Sequence, residues 1–450
     1  MKRLLTLLFL VSALPCLGQE LSLSECLEMC SESRSSRKAE LAVLQAEAQK
    51  AEARLEYLPR VSVTALAYRS LNPLLDISLR DVLGNSDAAN DLNTQLTAYA
   101  YENGMKPYFT MFQKGYGTSV SLLQPLYAGG RIVSGNRLAS LGVEASRVQG
   151  SMALKAARDS VENKYWRIVA LQQKQKILLE TADVLDALDR DLSSAVKAGL
   201  ALEADHFELR LKRSELKAGL SKLSGGMSLL KMDLLDDIGY EYSYLALPSL
   251  VLSDTPGELP EPSAVFADGF DLSSVPQARL LEMQEKAAAL EKKMALGKLL
   301  PQVAVGAAYS YSALSLPRDA SSNGLVFAMV QVPITYLGKA AYRSKRLGYK
   351  VQDAKEEREY LLKKLSLLEN KLRLDVDTSW EQISVCEETV ENAEARLDRM
   401  RLMYAAGKAT ATELMRCALE VSTARESLVS SQISYRLAVC AWQSLASREI

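Results

Sequence analysis

The chain has a single histidine, His206, directly after Asp205, and many serines, so the first chemistry to test is a hydrolytic triad. No nucleophile motif of the G-x-S-x-G type lies near this pair. The expectation is a solvated helical histidine and no catalytic centre. One histidine also disfavours His-rich metal sites. Cys26 and Cys30 lie one helical turn apart and could hold a metal, but no further ligand is spaced near them. Cys386, Cys417 and Cys440 fall inside helical runs. All five read as small buried hydrophobes, with no metal and no cofactor.

What must then position no site at all has an unusual layout. The 54 Lys and Arg balance 55 Asp and Glu, a formal charge of −1 that leaves no electrostatic footprint for nucleic acid. The first residues, MKRLLTLLFLVSALPCLGQE, have the basic start, apolar run and small-residue end of a secretory signal over residues 1–18, with cleavage after Gly18. Lipidation at Cys16 fits less well, because Leu14 and Pro15 replace the small residues such a site expects. Cleavage leaves five cysteines, an odd number that cannot form a complete intrachain disulfide framework. No later segment has eighteen consecutive apolar residues, so an integral contact with a membrane requires a β-barrel.

The chain is written twice. LEYLPRVSVTALAYRS from Leu55 matches GKLLPQVAVGAAYSYS from Gly297; QPLYAGGR from Gln124 matches VPITYLGK from Val332; KAGLA from Lys197 matches AAGKA from Ala405. Pro125 precedes Gly199 by 74 residues and Pro333 precedes Gly407 by 74, an equality that duplication explains. The first repeat is read as 19–235 and the second as 272–450, each running helix, strand, loop, strand, long helix, tip, helix. A Pro- and Gly-rich link, 236–271, joins them. The first helix opens at Ser22 and Glu25, spaced as a capping box.

Each long helix carries a heptad seam: Leu171, Leu178, Leu185 and Leu192 in the first repeat, and Leu372, Val376, Ser379, Ile383, Cys386, Val390, Ala393, Leu397, Met400 and Tyr404 in the second. A helix from Gly130 to about Ala195 would extend on the order of 100 Å at 1.5 Å per residue, beyond any globular core.

Four alternating stretches, Val61–Ser70, Gly115–Gln124, Val303–Ser312 and Leu325–Val332, have the length of tilted transmembrane strands. In the third, Val303, Val305, Ala307, Tyr309 and Tyr311 share one face. Eleven of the 19 tyrosines fall between Tyr57 and Tyr127 or between Tyr309 and Tyr342, as aromatic girdles require. Four strands leave two open edges, so closure requires further copies. At the strand-to-helix junctions, Gly129, Gly130 and their counterpart Gly338 are expected to permit the tight backbone change, and Pro125 and Pro333 to stop the ladder. The junction then marks where a chain leaves a bilayer for water.

This order of motifs, with QPLYAGGR and its copy VPITYLGK and with MYAAGKATATEL after a heptad helix, resembles the TolC-type outer-membrane efflux proteins over Leu21 to about Ala446. The resemblance implies a mainly α chain with a membrane β-barrel portion. Three copies would close a twelve-stranded barrel in the outer membrane of a Gram-negative bacterium, continued by a coiled-coil α-barrel into the periplasm. It further implies a passive exit duct for efflux or type I secretion, docked to a periplasmic adaptor and an inner-membrane pump. Carried over by position, the docking and aperture tips are Ala198, Gly199 and Leu200, and Ala406, Gly407 and Lys408. Lys408 stands where the first tip has Leu200, so the two tips are not equivalent. The alternative is a periplasmic coiled-coil scaffold or adaptor without a pore, which accounts for the heptads but not for the tyrosine-rich strands.

Overall fold

The computed structural model describes residues 20–31, 34–72, 75–84, 86–105, 108–111, 114–198, 202–241, 251–254, 259–267, 269–313, 320–333 and 337–446. The proposed leader with Cys16, and Gly199 and Leu200 of the first tip, lie outside them. In chain order the elements are β1 (Glu20–Leu21), α1 (Leu23–Ser31), α2 (Arg34–Leu55), β2 (Arg60–Arg69), β3 (Leu75–Ser78), α3 (Leu79–Leu83), α4 (Asp87–Glu102), β4 (Tyr108–Met111) and β5 (Lys114–Ala128). There follow α5 (Arg131–Lys197), α6 (Glu203–Asp237), β6 (Val251–Leu252), α7 (Pro262–Val265), α8 (Pro276–Gly297), β7 (Gln302–Ala313), β8 (Ser321–Gln331), α9 (Leu337–Ala405) and α10 (Ala411–Ala446). They form two compact units, and each unit draws on both halves of the sequence: Met1–Glu47, Gly142–Glu285 and Asp353–Ile450 make one, Ala48–Leu141 and Lys286–Gln352 the other.

The first unit is helical, and its burial follows the heptads. Of the ten seam positions on α9, Val376, Ile383, Cys386 and Leu397 are buried and the other six half-buried. On α5, Leu185 and Leu192 are buried, while Leu171 and Leu178 are half-buried. Leu185, Leu188 and Leu192 of α5 cluster with Leu209 of α6, Leu397 of α9 and Leu414 of α10, so four helices share one core. Trp380 and Tyr435, packed at 5.0 Å between ring centroids, belong to a second cluster with Val376, Ile383 and Trp442. A third gathers Cys26 and Cys30 with Val161, Tyr165 and Trp166, so those cysteines are core side chains. Burial pushes the Cys26 thiol up to about 11, where it stays protonated.

The start of the described chain is tied to this unit. Glu20 and Leu21 pair in parallel with Val251 and Leu252. The buried Tyr165 hydroxyl shares its one proton between Asp254 Oδ2 at 2.7 Å and the Leu21 carbonyl at 3.0 Å, and Asp254 also accepts from the Leu23 amide. The expected capping box on α1 is formed: Glu25 accepts from the Ser22 amide at 2.8 Å, and Ser22 Oγ accepts from the Glu25 amide.

The second unit holds an antiparallel sheet in the order β2-β5-β7-β8. Its strands differ from expectation at two ends. β8 starts at Ser321, four residues before Leu325, because Ser321, Ser322 and Asn323 continue the ladder opposite Ser312, Tyr311 and Ser310. β5 does not stop at Pro125: pairing with β7 continues to Ala128 through a bulge between Pro125 and Tyr127. The proline is tolerated because β2 has already ended, its first residue Arg60 lying opposite Leu123, so Pro125 occupies an edge-like position. β8 ends at Gln331, before Pro333.

Candidate functional site

The sheet is the first functional surface, and its register decides the chemistry of each side. Val61, Val63, Ala65 and Ala67 of β2 lie opposite Leu122, Val120, Thr118 and Tyr116 of β5. Those residues in turn face Ala307, Tyr309, Tyr311 and Ala313 of β7, and Val326 and Val330 of β8 extend the same face. Between the strand ends this side is mainly apolar, interrupted by Thr118 and Ser322 and bordered by Arg69, Lys114 and Gln124, and it is open to the surroundings: Val63 is 69% exposed and Val326 84%. The opposite side carries Ser62, Thr64, Gly117, Ser119, Ser121, Ser310, Ser312 and Asn323, interleaved with Leu66, Leu123, Leu325, Phe327 and Met329. There Ser62 and Ser121 share a hydroxyl hydrogen bond of 2.7 Å across the strands. Arg60 is the one charged side chain of that face among the described strand residues. Large rings fold over glycines on this side. A Cβ on Gly306 would meet the Phe327 ring at 2.4 Å, and one on Gly115 the Tyr68 hydroxyl at 2.8 Å. Among the described residues β2 pairs only with β5 and β8 only with β7, so both outer edges present unpaired backbone groups.

The strand-to-helix junction comes next. Gly129 and Gly130 have φ of +61° and +74°, the left-handed region that a side chain disfavours. Gly129 also lies against the end of α8: an added Cβ would fall 2.1 Å from the Gly297 carbonyl oxygen, and one on Gly297 2.5 Å from the Gly129 oxygen. Sequence reasoning missed Gly297. Its counterpart in the first repeat is Leu55, and that break in the repeat was the available signal. Gly338 behaves differently from Gly129 and Gly130: α9 begins at Leu337, so Gly338 is a helical residue of the first turn and not a turn-former.

At the far ends of the helices, Ala198 is an exposed turn residue after α5, with its amide bonded to Ser194 O at 3.1 Å. The α9–α10 turn is fully described. Gly407 has φ +68°, its amide donates to Tyr404 O, and the Lys408 amide donates back to Met403 O, both at 2.9 Å. This closes α9 with a left-handed cap. Thr410 and Glu413 then form a capping box for α10, with the Thr410 amide on Glu413 Oε2 at 2.8 Å and the Glu413 amide on Thr410 Oγ1 at 3.2 Å. These bonds hold the Glu413 carboxyl below its usual range. Ala406, Gly407 and Lys408 are exposed. Farther along the same pair of helices runs a groove lined by Val385, Thr389 and Arg396 of α9 and by Arg416, Leu419 and Thr423 of α10.

His206 is not the solvated side chain expected. Its Nε2 lies 3.1 Å from Asp189 Oδ1, and Arg213 bonds the other Asp189 oxygen at 2.5 Å and Asp186 at 2.5 Å. The cause is α6 packing back along α5, which sets one α6 face against acidic residues just short of the α5 end. Asp205 accepts from the Thr412 hydroxyl at 3.1 Å, tying α6 to α10. The pair thus joins helices together, His206 tying α6 to α5 and Asp205 tying it to α10.

No protein-family model matches the chain, and no curated protein matches it in sequence. Solved structures do match in fold. The outer membrane protein VceC of Vibrio cholerae superposes with a TM-score of 0.74 at 15% identity, over 95% of this chain and 96% of that one. The CmeC outer membrane channel of Campylobacter jejuni gives 0.75 at 12% identity, over 94% and 85%. The MtrE outer membrane channel of Neisseria gonorrhoeae, in its open state, gives 0.70 at 14%, over 94% and 88%. The chain therefore has the fold of the TolC-type outer-membrane channels, with the helices and four-stranded sheet that this fold requires.

Proposed function

We propose that this chain is one subunit of an outer-membrane exit duct. Three copies close their sheets, β2 of one against β8 of the next, into a twelve-stranded barrel, and their long helices form the conduit in the periplasm. The observation that carries the proposal is the sheet: one mainly apolar face, an opposite face on which serines and glycines alternate with a few large side chains, and two vacant edges, on the fold of known outer-membrane channels. An apolar outside, a polar inside and closure without edges are what lipid demands of strands. The tyrosines supply a ruler. Tyr116 and Tyr127 stand eleven residues apart on β5. The bulge takes up one of these residues, so ten steps of about 3.3 Å at a tilt of roughly 40° give about 25 Å along the barrel axis, the apolar height of an outer-membrane barrel. A pore-less scaffold would have no use for such a face. Fractionation tests the reading: the protein should sediment with outer membranes and resist alkaline carbonate, and release by carbonate would reject it.

In this reading the helix ends serve docking and opening more than folding. They are Ala198, Gly199 and Leu200 after α5, and Ala406, Gly407 and Lys408 after α9, and they meet a periplasmic adaptor that joins an inner-membrane pump. The apolar Leu200 against the cationic Lys408 makes the two ends unequal. A Leu200→Asp, Lys408→Asp double variant should insert and assemble normally yet lose export and adaptor cross-linking. Full export by that variant would leave both ends as ordinary turns.

A further inference from the structure

Between β2 and β5 the described residues 70–72, 75–84, 86–105 and 108–111 form a folded insert on the sheet. β2 and β5 end their pairing at Arg69 opposite Lys114, and the chain then forms a second short ladder, β3 with β4, from Leu75 opposite Met111 to Ser78 opposite Tyr108. Two capped helices follow. Ser78 and Asp81 form a capping box on α3, and Ser86 caps α4 by accepting from the Ala89 amide. The insert leaves the sheet at the end opposite the α5 junction.

Helix α4 has three sectors. Ala89 and Ala100 are buried. Asp87, Asp91 and Glu102 lie on a second side at helical spacing, and the helix carries no Lys or Arg. Ala88, Leu92, Leu96 and Tyr99 form a third side, and Leu92, Leu96 and Tyr99 are 45%, 38% and 60% exposed. An apolar stripe beside a carboxylate sector is a docking face rather than a water-facing one. Lipid does not fit it, because helices that lie on membranes carry cations on their polar side.

Resting on the duct reading, we propose that the partner is a second copy: the α4 helices of three subunits pack by Leu92, Leu96 and Tyr99 across the outer mouth of the barrel and restrict it. The insert grows out of β2, an edge strand whose free side requires another copy, so each insert stands beside that junction. Size agrees. Twelve strands about 4.8 Å apart and tilted roughly 40° enclose a mouth about 24 Å across, and the 16 residues of α4 extend about 24 Å at 1.5 Å per residue. Three such helices laid across one such mouth must touch.

The test is a Leu96→Cys variant, oxidised in intact cells, with lysine cross-linking of the same membranes reporting the trimer. The native Cys26, Cys30, Cys386 and Cys417 are buried, and the half-buried Cys440 is replaced by serine in the test background so that it does not compete. Three copies allow one disulfide per assembly, so up to two thirds of the chains should run as a disulfide dimer. A Leu92→Asp, Leu96→Asp variant should assemble and show at least twofold higher single-channel conductance. A trimer in which the introduced thiol stays unpaired and reacts freely with a membrane-impermeant maleimide would overturn the closure and leave the duct standing. Absence of any trimer would remove both.

Discussion

Gly129→Ala is the sharpest test of the junction, because Gly130→Ala beside it provides an internal control. Both residues have positive φ, so alanine at either costs about 1 kcal/mol of backbone strain. At Gly130 nothing lies within 4 Å of the new Cβ, and the strain is the whole effect. At Gly129 the methyl would lie 2.1 Å from the Gly297 oxygen and 2.9 Å from its carbonyl carbon, both backbone atoms that cannot rotate away. One strand-to-helix turn and the end of α8 must then separate by about 1 Å, an overpacking cost of roughly 2–3 kcal/mol. The sum is about 3–4 kcal/mol against about 1, a difference of at least roughly thirtyfold in the equilibrium constant. Thermal or denaturant unfolding of the purified protein in mild detergent, followed by circular dichroism and by loss of the assembled species, should rank Gly129→Ala far below Gly130→Ala. Equal, mild losses in the two variants would refute the close approach of Gly129 and Gly297.

Four further outcomes follow from the helical unit. Leu185→Asp and Ile383→Asp place a carboxylate where Leu185 is fully buried and Ile383 nearly so; each should cost several kcal/mol and abolish assembly, and normal yield from both would place these seams in water. Thr410→Ala should lose about 1 kcal/mol at the α10 cap. Because Glu413 is held below its ordinary range, its contribution is complete above the unfolded carboxylate pKa and fades as pH falls through the depressed folded value, so amide protection at the turn, corrected for intrinsic rates, should drop on acidification below the ordinary carboxylate range. Cys26, raised to about 11, has about one thiolate in a thousand at pH 8 and is buried as well, so it should resist iodoacetamide in the folded protein and react on unfolding; rapid native labelling would contradict its place in the core.

The parts of this fold legible in the sequence are those set by a period. The α9 seam was readable because ten positions in alternating steps of four and three can face only one way on a helix, and all ten are buried or half-buried. The face of β7 was readable because a period of two leaves no choice of side. What escaped depends on pieces of chain far apart in sequence. Pro125 reads locally as a strand stop, and only the early end of β2 makes it a tolerated bulge. Gly297 reads as an ordinary residue near a helix end until Gly129 is found against it. Gly338 was matched to a turn by alignment of the repeats, yet α9 starts one residue before it. The insert was unread as a fold although its caps were present: Ser78 with Asp81 and Ser86 before Ala89 are start signals, but helices of 5 and 16 residues between four-residue strands lack a periodic stretch long enough to announce them.

The central claim is that four strands with two vacant edges become a closed barrel only in threes. Its most direct measurement is the mass of the assembly extracted from native outer membranes in mild detergent, by native mass spectrometry, on the same preparation that conducts ions in a planar bilayer. The account predicts three chains per conducting particle and none that conducts as one chain. A monodisperse monomer that conducts ions would contradict it, because four strands alone would then have closed a pore.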